Sequence, residues 1–208
     1  MRVIAIDGPA GSGKSTVARA VAERLGLAYL DTGAMYRSVA FAVLRRAIDP
    51  TDQAAVAKVA ADLDIEVGER VTVDGVDATA EIRGAEVTTT VSVVAANPGV
   101  RKEMVRRQRD WAEAHGGGVI EGRDIGTVVF PEAALKVYLT ASEGERARRR
   151  AGEIGQPAYD QVAADIARRD HVDSTRAASP MMVAGDAVQI DTTGRTVDDI
   201  VEEVLTNL

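Results

Sequence analysis

Between an apolar run, Val3-Ile4-Ala5-Ile6, and a stretch with apolar residues at helical spacing, Val17, Val21 and Leu25, the chain reads Gly8-Pro9-Ala10-Gly11-Ser12-Gly13-Lys14-Ser15-Thr16. Gly8, Gly13, Lys14 and Ser15 fit G-x-x-x-x-G-K-[ST], and a buried strand before it with a helix after it is the context in which that pattern is a P-loop. The residue types follow from the task. Glycines let consecutive backbone N–H groups turn inward on a polyphosphate, and the helix beginning near Gly13 adds its positive dipole end. Lys14 supplies a mobile positive charge for β and γ phosphates, and the Ser15 hydroxyl a ligand for magnesium.

The rest of the chain reads as strands alternating with helices. Residues 2 to 7 do not alternate in polarity, as expected for a strand covered on both faces. Leu27-Ala28-Tyr29-Leu30 is a second short strand, Asp31-Thr32-Gly33 a turn, and Ala34 to Ile48 a helix with Met35, Val39, Val43 and Leu44 on one face. Pro50 and Asp52 break it and start an alanine-rich helix. Ile65 to Val67, Arg70 to Val73 and Val76 to Ala78 are short strands, and Asp74-Gly75 is a hairpin signal, so a small antiparallel insertion is expected there.

Helices follow from Ala85 to Asn97 and from Pro98 to His115. The second carries Val100, Met104, Val105 and Trp111 inward and Arg101, Lys102, Arg106, Arg107 and Arg109 largely outward, and Gly116 to Gly118 stop it. Val119-Ile120, Leu135 to Leu139 and Ala187 to Asp191 complete five strands. Between the last two, Ser142 to Glu145 has capping-box spacing and opens an arginine-dense helix. Gly152, Gly155 and Pro157 end that helix, Ala158 to Asp173 form another, and Thr196 caps a last one. The expected fold is α/β: a five-stranded parallel sheet with helices on both faces, a small antiparallel insertion and a helical lid. Ligands bind such sheets at the carboxyl ends of the strands, so the P-loop, Asp31-Thr32 and Arg123-Asp124 are expected to line one cleft.

At 208 residues, 46% hydrophobic and 27% charged, the chain suits one globular domain. Its net charge of −7 argues against a nucleic-acid polymer as partner. It contains no cysteine, which removes disulfides and thiol catalysis, and its two histidines, His115 and His171, do not suggest a zinc site; both are expected on solvated faces. No apolar run approaches the ~20 residues of a membrane span, and Met1-Arg2 leads straight into a strand-like segment, so a cytoplasmic protein without a membrane partner is expected.

A P-loop implies a nucleotide, not a reaction. A guanine-nucleotide switch needs an Asn-Lys-x-Asp motif, but Asn97 precedes Pro98 and Asn207 precedes Leu208. A motor or transporter ATPase shows an apolar strand ending in a magnesium-binding aspartate with an adjacent glutamate. Here the strand ends Glu121-Gly122-Arg123-Asp124, and arginine suits holding a phosphate bidentately, not activating water. The pattern reads as a kinase of a small anionic acceptor. Transfer between two polyanions needs cations to offset repulsion and little general-base help.

These motifs resemble the bacterial cytidylate kinases, a nucleoside-monophosphate kinase family, over essentially the whole chain. They are Gly8 to Thr16, Asp31-Thr-Gly-Ala-Met-Tyr-Arg37, Glu81-Ile82-Arg83, Arg106-Arg107-Gln108-Arg109, Glu121-Gly-Arg-Asp-Ile-Gly-Thr-Val-Val-Phe-Pro131 and Arg169-Asp-x-x-Asp-x-x-Arg176. The resemblance implies a magnesium-dependent, monomeric enzyme that moves the γ-phosphate of ATP to CMP or dCMP. It implies that Gly8, Pro9, Ala10, Gly11, Ser12, Gly13, Lys14, Ser15 and Thr16 hold ATP, and that Thr32, Tyr36 and Arg37 meet the acceptor. Arg37, Arg123 and Arg176 would grip its phosphate, Arg169 and Asp173 its ribose, and Ser92, Arg101 and Asp124 its cytosine. Lys14, Arg37, Arg123 and Arg176 would be the catalytic cations. Arg146 to Arg150 would belong to a lid over ATP, about 142–173, with an acceptor-binding part at about 32–115 and a core of about 1–31, 116–141 and 174–208. Thr32 and Glu121 stand where serine and aspartate are common, each keeping the chemistry. The alternatives are another monophosphate acceptor such as UMP, or a nucleotide sensor without turnover, against which Lys14, Ser15, Arg37, Arg123 and Arg176 argue.

Overall fold

The structure, a computed structural model, describes residues 1–154, 159–176 and 179–208. Gly155, Pro157 and Ala158, expected at the junction of two helices, lie outside the described residues. The chain forms two compact units, one of Met1–Tyr29 and His115–Leu208, the other of Leu30–Ala114.

The first unit opens with β1 (Arg2–Asp7), the P-loop and α1 (Lys14–Leu25), and β2 (Tyr29–Asp31) leads the chain into the second. β2 starts later than the expected Leu27 because α1 does not end at its last helical residue. Gly26 takes a left-handed conformation (φ 62°), and the Leu27 N–H bonds back to the Ala22 carbonyl at 2.9 Å, so this segment closes the helix instead of starting a strand.

The second unit holds α2 (Thr32–Arg45), α3 (Gln53–Asp62), β3 (Ile65–Val67), β4 (Val71–Val73), β5 (Val76–Asp77), a 3-10 turn (Glu81–Arg83), α4 (Ala85–Ala96) and α5 (Pro98–Ala114). Asp31 accepts from the Ala34 N–H at 3.0 Å and is the N-cap of α2, so Thr32 and Gly33 belong to its first turn and not to the expected loop. β3, β4 and β5 form the expected antiparallel sheet. Asp74 and Gly75 both have positive φ, 50° and 74°, as the two-residue hairpin requires.

The expected outward direction of Arg101 is overturned. Arg101 is 3% exposed and shares the buried face of α5 with Val100, Met104 and Gln108. Its guanidinium lies 5.5 Å from the centre of the Tyr36 ring, where a planar cation is compatible with an aromatic face. Arg107 is also drawn inward, donating to the carbonyls of Leu63 at 2.6 Å and Ala60 at 3.1 Å, which the end of α3 leaves without helical partners.

Back in the first unit follow β6 (Gly117–Gly122), a single π-type turn (Ile125–Val129), β7 (Leu135–Thr140), α6 (Glu143–Ile154), α7 (Tyr159–Thr175), β8 (Val188–Asp191) and α8 (Val197–Thr206). Gly117 and Gly118 do not merely stop α5; they pair with Arg2 and Val3 as the first residues of β6. The five-stranded parallel sheet has the order β2-β6-β1-β7-β8. Ile4 and Ile6 of β1 pack with Val17 and Val21 of α1, and Ile200 and Val204 of α8 join the same core. Asp7 is in register with Gly122. The P-loop and Arg123-Asp124 therefore leave neighbouring strands side by side at their carboxyl ends. Among the described residues no helix is long and apolar enough to cross a membrane.

Candidate active site

The P-loop is shaped by close backbone approaches. Gly8 has φ 149°, and a Cβ there would lie 2.1 Å from the Leu139 carbonyl oxygen; Gly11 has φ 74°, and a Cβ would lie 2.6 Å from the Arg146 oxygen. Only glycine fits either place. Gly13 precedes α1 without a side-chain cap, which leaves the first N–H groups of the helix to an anion. The Ser12 hydroxyl is buried with no hydrogen-bond partner among the described residues, while Ser15 and Thr16 are exposed on the first turn.

Lys14 donates to the Pro9 carbonyl at 2.8 Å. Burial, and then the positive charge of Arg123, lower its pKa to about 8, against the opposing pull of Glu121, Asp170 and Asp7. At the end of β1, Asp7 accepts from the N–H groups of Ile125 at 2.8 Å and Gly126 at 2.7 Å and thereby holds the π-type turn that follows Asp124. Burial raises its pKa to about 6, although those two bonds oppose the shift. Glu121 takes a hydrogen bond from the Tyr29 hydroxyl.

Around the P-loop lies an alternating set of cations and carboxylates. Arg123 donates to Asp170 at 2.9 Å and reaches Asp173 at 3.4 Å. Arg176 lies 3.4 Å from both Asp124 and Asp173, and its Nε donates to the Ser179 carbonyl at 2.6 Å. Arg146 donates to Asp170 and, at 3.1 Å, to the Ala10 carbonyl. Among the described residues the buried Nε of Arg169 has no hydrogen-bond partner; burial, and then the charge of Arg123, push its pKa down to about 10. Of the other arginines on α6, Arg149 bonds Glu145 and Thr192, and Arg148 bonds Glu145 on the surface. The Glu145 N–H bonds the Ser142 hydroxyl at 3.3 Å, the cap that the sequence spacing anticipates.

The second unit holds its own group of the predicted residues. Thr32 and Tyr36 are buried on α2, with Tyr36 under Arg101. Arg37 donates to the Ile82 carbonyl at 3.2 Å and the Thr88 hydroxyl at 3.0 Å. Half-buried Ser92 lies one turn beyond Thr88 on α4.

A model of the cytidylate kinase family matches residues 4–208. A cytidylate kinase of Desulforamulus reducens is 50% identical, the match covering 99% of this chain and 96% of the relative. The chain belongs to the cytidylate kinase family. A bifunctional pantoate ligase/cytidylate kinase of Trichormus variabilis is 49% identical over 98% of this chain, which spans only 40% of that relative's length. Solved structures of a sugar kinase from Janibacter sp. HTCC2649 (TM-score 0.51) and of TT1252 from Thermus thermophilus (TM-score 0.52) are each 16% identical over 100% of this chain, covering 94% and 97% of theirs. They share the fold.

For this member of the cytidylate kinase family, sequence reading passed over two residues of the first unit. Asp7 ends the apolar run Val3 to Ile6 immediately before Gly8, and a charge in that place was the available signal. Asp170 stands inside the quoted Arg169 to Arg176 motif, three residues before Asp173 and so on the same side of α7. It touches the P-loop and two arginines, a convergence of three elements that one helix's spacing does not reveal.

Proposed function

We propose that the protein is an ATP-dependent kinase that transfers the γ-phosphoryl group of ATP to CMP or dCMP, giving ADP and CDP or dCDP. The observation that carries this is the gathering of cations at the P-loop. Lys14 lies across the loop on Pro9, Arg146 reaches the Ala10 carbonyl, and Arg123 and Arg146 share the carboxylate of Asp170, which also takes the Ala10 N–H. Cations that are poorly hydrated and repel one another are relieved by bound polyanions, which is the requirement of transfer between two phosphates.

In this reading Gly8 to Thr16 hold ATP, Lys14 follows the transferring phosphate, and Arg37, Arg123 and Arg176 hold the acceptor phosphate. That phosphate is already ionised, so the residues position and neutralise instead of removing a proton. Arg169 and Asp173 take the ribose, Ser92, Arg101 and Asp124 the cytosine, and Thr32 and Tyr36 complete the acceptor side. Among Arg146, Arg149 and Arg150, burial of Arg146 against the Ala10 carbonyl of the P-loop favours it over Arg149, which bonds Glu145 and Thr192, as the lid arginine nearest the reacting phosphate.

Magnesium fits the donors present. The exposed Ser15 hydroxyl has no hydrogen bond among the described residues, and no cluster of three carboxylates or histidines there could hold a metal alone, as suits an ion that arrives on the nucleotide with few protein ligands. Ser15 would be the residue that meets the ion, and when bound the ion would offset phosphate charge.

The expected division into core (about 1–31, 116–141, 174–208), acceptor-binding part (about 32–115) and lid (about 142–173) is kept as part of the proposal; the two compact units support the acceptor-binding part alone, since core and lid share the other unit. A monomer working in the cytoplasm is kept as part of the proposal as well. ADP release measured with CMP, dCMP, UMP, AMP and GMP in turn tests the function. Turnover with CMP and dCMP is expected; preference for UMP, or no acceptor-dependent release, would overturn it.

A further inference from the structure

The carboxylate of Asp170 sits among donors that otherwise describe a phosphate site. It accepts from the P-loop N–H of Ala10 at 3.2 Å, from Arg123 at 2.9 Å and from Arg146. The three donors come from the P-loop, the segment after β6 and α6, while Asp170 itself comes from α7. The side chains are enclosed: 14% of Asp170, 16% of Arg123 and 10% of Arg146 is exposed. Opposing charges outweigh the cost of burial and hold the carboxyl below its usual pKa, with Arg123 the strongest of them.

One carboxylate here answers two guanidiniums and a backbone N–H of the loop that cradles phosphates. A phosphoryl group offers more charge and a third oxygen, so it is the better partner for the same donors. We infer that Asp170 is a placeholder for the transferred phosphoryl group, a positioning residue that holds the P-loop, Arg123 and Arg146 together in the nucleotide-free enzyme and yields those donors when the γ-phosphate arrives. This rests on the kinase reading above. It follows that Asp170 penalises triphosphate binding and spares the diphosphate, which lacks the group that competes with it. After transfer the carboxylate returns to its donors and keeps two arginines from facing each other unneutralised.

The test is calorimetric titration of the full wild-type chain and of Asp170→Asn with AMP-PNP and with ADP, each with magnesium. The amide keeps an acceptor for the Ala10 N–H and removes the charge. AMP-PNP is expected to bind about tenfold tighter to the variant, as when the population tax of a competing state is lifted, and ADP within about twofold of wild type. Equal changes for both nucleotides, the mark of a merely structural residue, or weaker AMP-PNP binding would overturn the inference. A second measurement needs no variant: in a crystal structure of the wild type with AMP-PNP, Asp170 should have left Ala10. A carboxylate still within about 3.5 Å of that nitrogen would overturn the inference. Wild type that binds AMP-PNP yet phosphorylates no monophosphate would sink the kinase reading while leaving the Asp170 result to stand on its own.

Discussion

The ammonium of Lys14 donates to the carbonyl oxygen of Pro9 at 2.8 Å, folding the P-loop lysine back across its own loop. Burial and the neighbouring Arg123 bring its pKa to about 8, so it is mostly charged at neutral pH and loses its proton just above. ATP favours the charged form and raises the pKa on binding, so affinity should be flat below that value and fall as pH rises past it. ATP Kd measured from pH 6.5 to 9.5 should increase from about pH 8 upward in the wild type. Lys14→Arg, which keeps its charge, should show no such rise. A wild-type Kd constant to the alkaline end would contradict the account.

Lys14→Ala should separate activity from stability. The ammonium acts most strongly on charge that develops in the transition state, so kcat should fall by about 100-fold or more. Folding should not suffer. A lysine whose folded pKa is depressed is unfavourable in its charged form below that pKa, so at pH 7 its removal should leave Tm unchanged or higher. Near wild-type turnover in the folded variant at saturating ATP would disprove the P-loop assignment.

Two of the proposed phosphate-binding arginines should differ in what their loss does to the fold. Arg176 has 5% of its side chain exposed and stands between Asp124 and Asp173, themselves 6% and 10% exposed, so Arg176→Ala leaves two carboxylates enclosed without it. That should cost about 3 kcal/mol of stability as well as activity. Half-buried Arg37 donates to two neutral oxygens, those of Ile82 and Thr88. Arg37→Ala should lower kcat/KM for CMP at a stability cost of about 1 kcal/mol. Urea unfolding beside steady-state kinetics checks the contrast, and equal destabilisation by both would remove it.

Much of this was legible in sequence because local chemistry dictated it. The P-loop glycines, the Asp74-Gly75 hairpin and the Thr196 cap each follow from a few adjacent residues, and the unbroken apolar run of β1 sufficed to predict burial on both faces. Tertiary partners decided what was misread. Arg101 looked like surface until Tyr36 supplied a ring to cover it, and Leu27 looked like strand until its N–H was found closing α1. What Asp7 and Asp170 do was hidden for the same reason, although the charge of Asp7 at the end of an apolar run was itself a signal: their partners are Ile125 and Gly126 in one case and Ala10, Arg123 and Arg146 in the other, all far away in the chain.

Asp7 predicts an exchange of stability for function. A carboxyl whose folded pKa is raised to about 6 is destabilising when ionised, so its unfavourable contribution is present above pH 6 and vanishes as pH falls toward its unfolded value of 3.8. Relative to Asp7→Asn, the wild type should therefore lose about 3 kcal/mol between pH 4 and pH 7, from the size of that shift. The amide, however, turns an NH2 toward one of the N–H groups of Ile125 and Gly126, loosening the turn next to Asp124. KM for CMP should rise even where the variant is the more stable protein. A pH-independent stability difference would show that Asp7 does not titrate as described.

Asp124 offers the sharpest test of acceptor choice. It is 4% exposed and 3.4 Å from Arg176, just beyond the end of β6. Cytosine presents an amino donor where uracil presents a carbonyl acceptor, and a carboxylate only accepts, so in the proposed site Asp124 would attract the first base and repel the second. A hydrogen bond to a charged group contributes roughly 1.5–3 kcal/mol, so its loss should reduce the preference for CMP over UMP by about 10 to 150-fold. Asp124→Asn is the variant to use, since its amide can turn either face to the base and should relax discrimination more than it abolishes transfer. The ratio of kcat/KM for CMP to that for UMP is the quantity to measure. If that ratio is unchanged in an active, folded variant, Asp124 does not read the base, and its place beside Arg176 serves the acceptor phosphate alone.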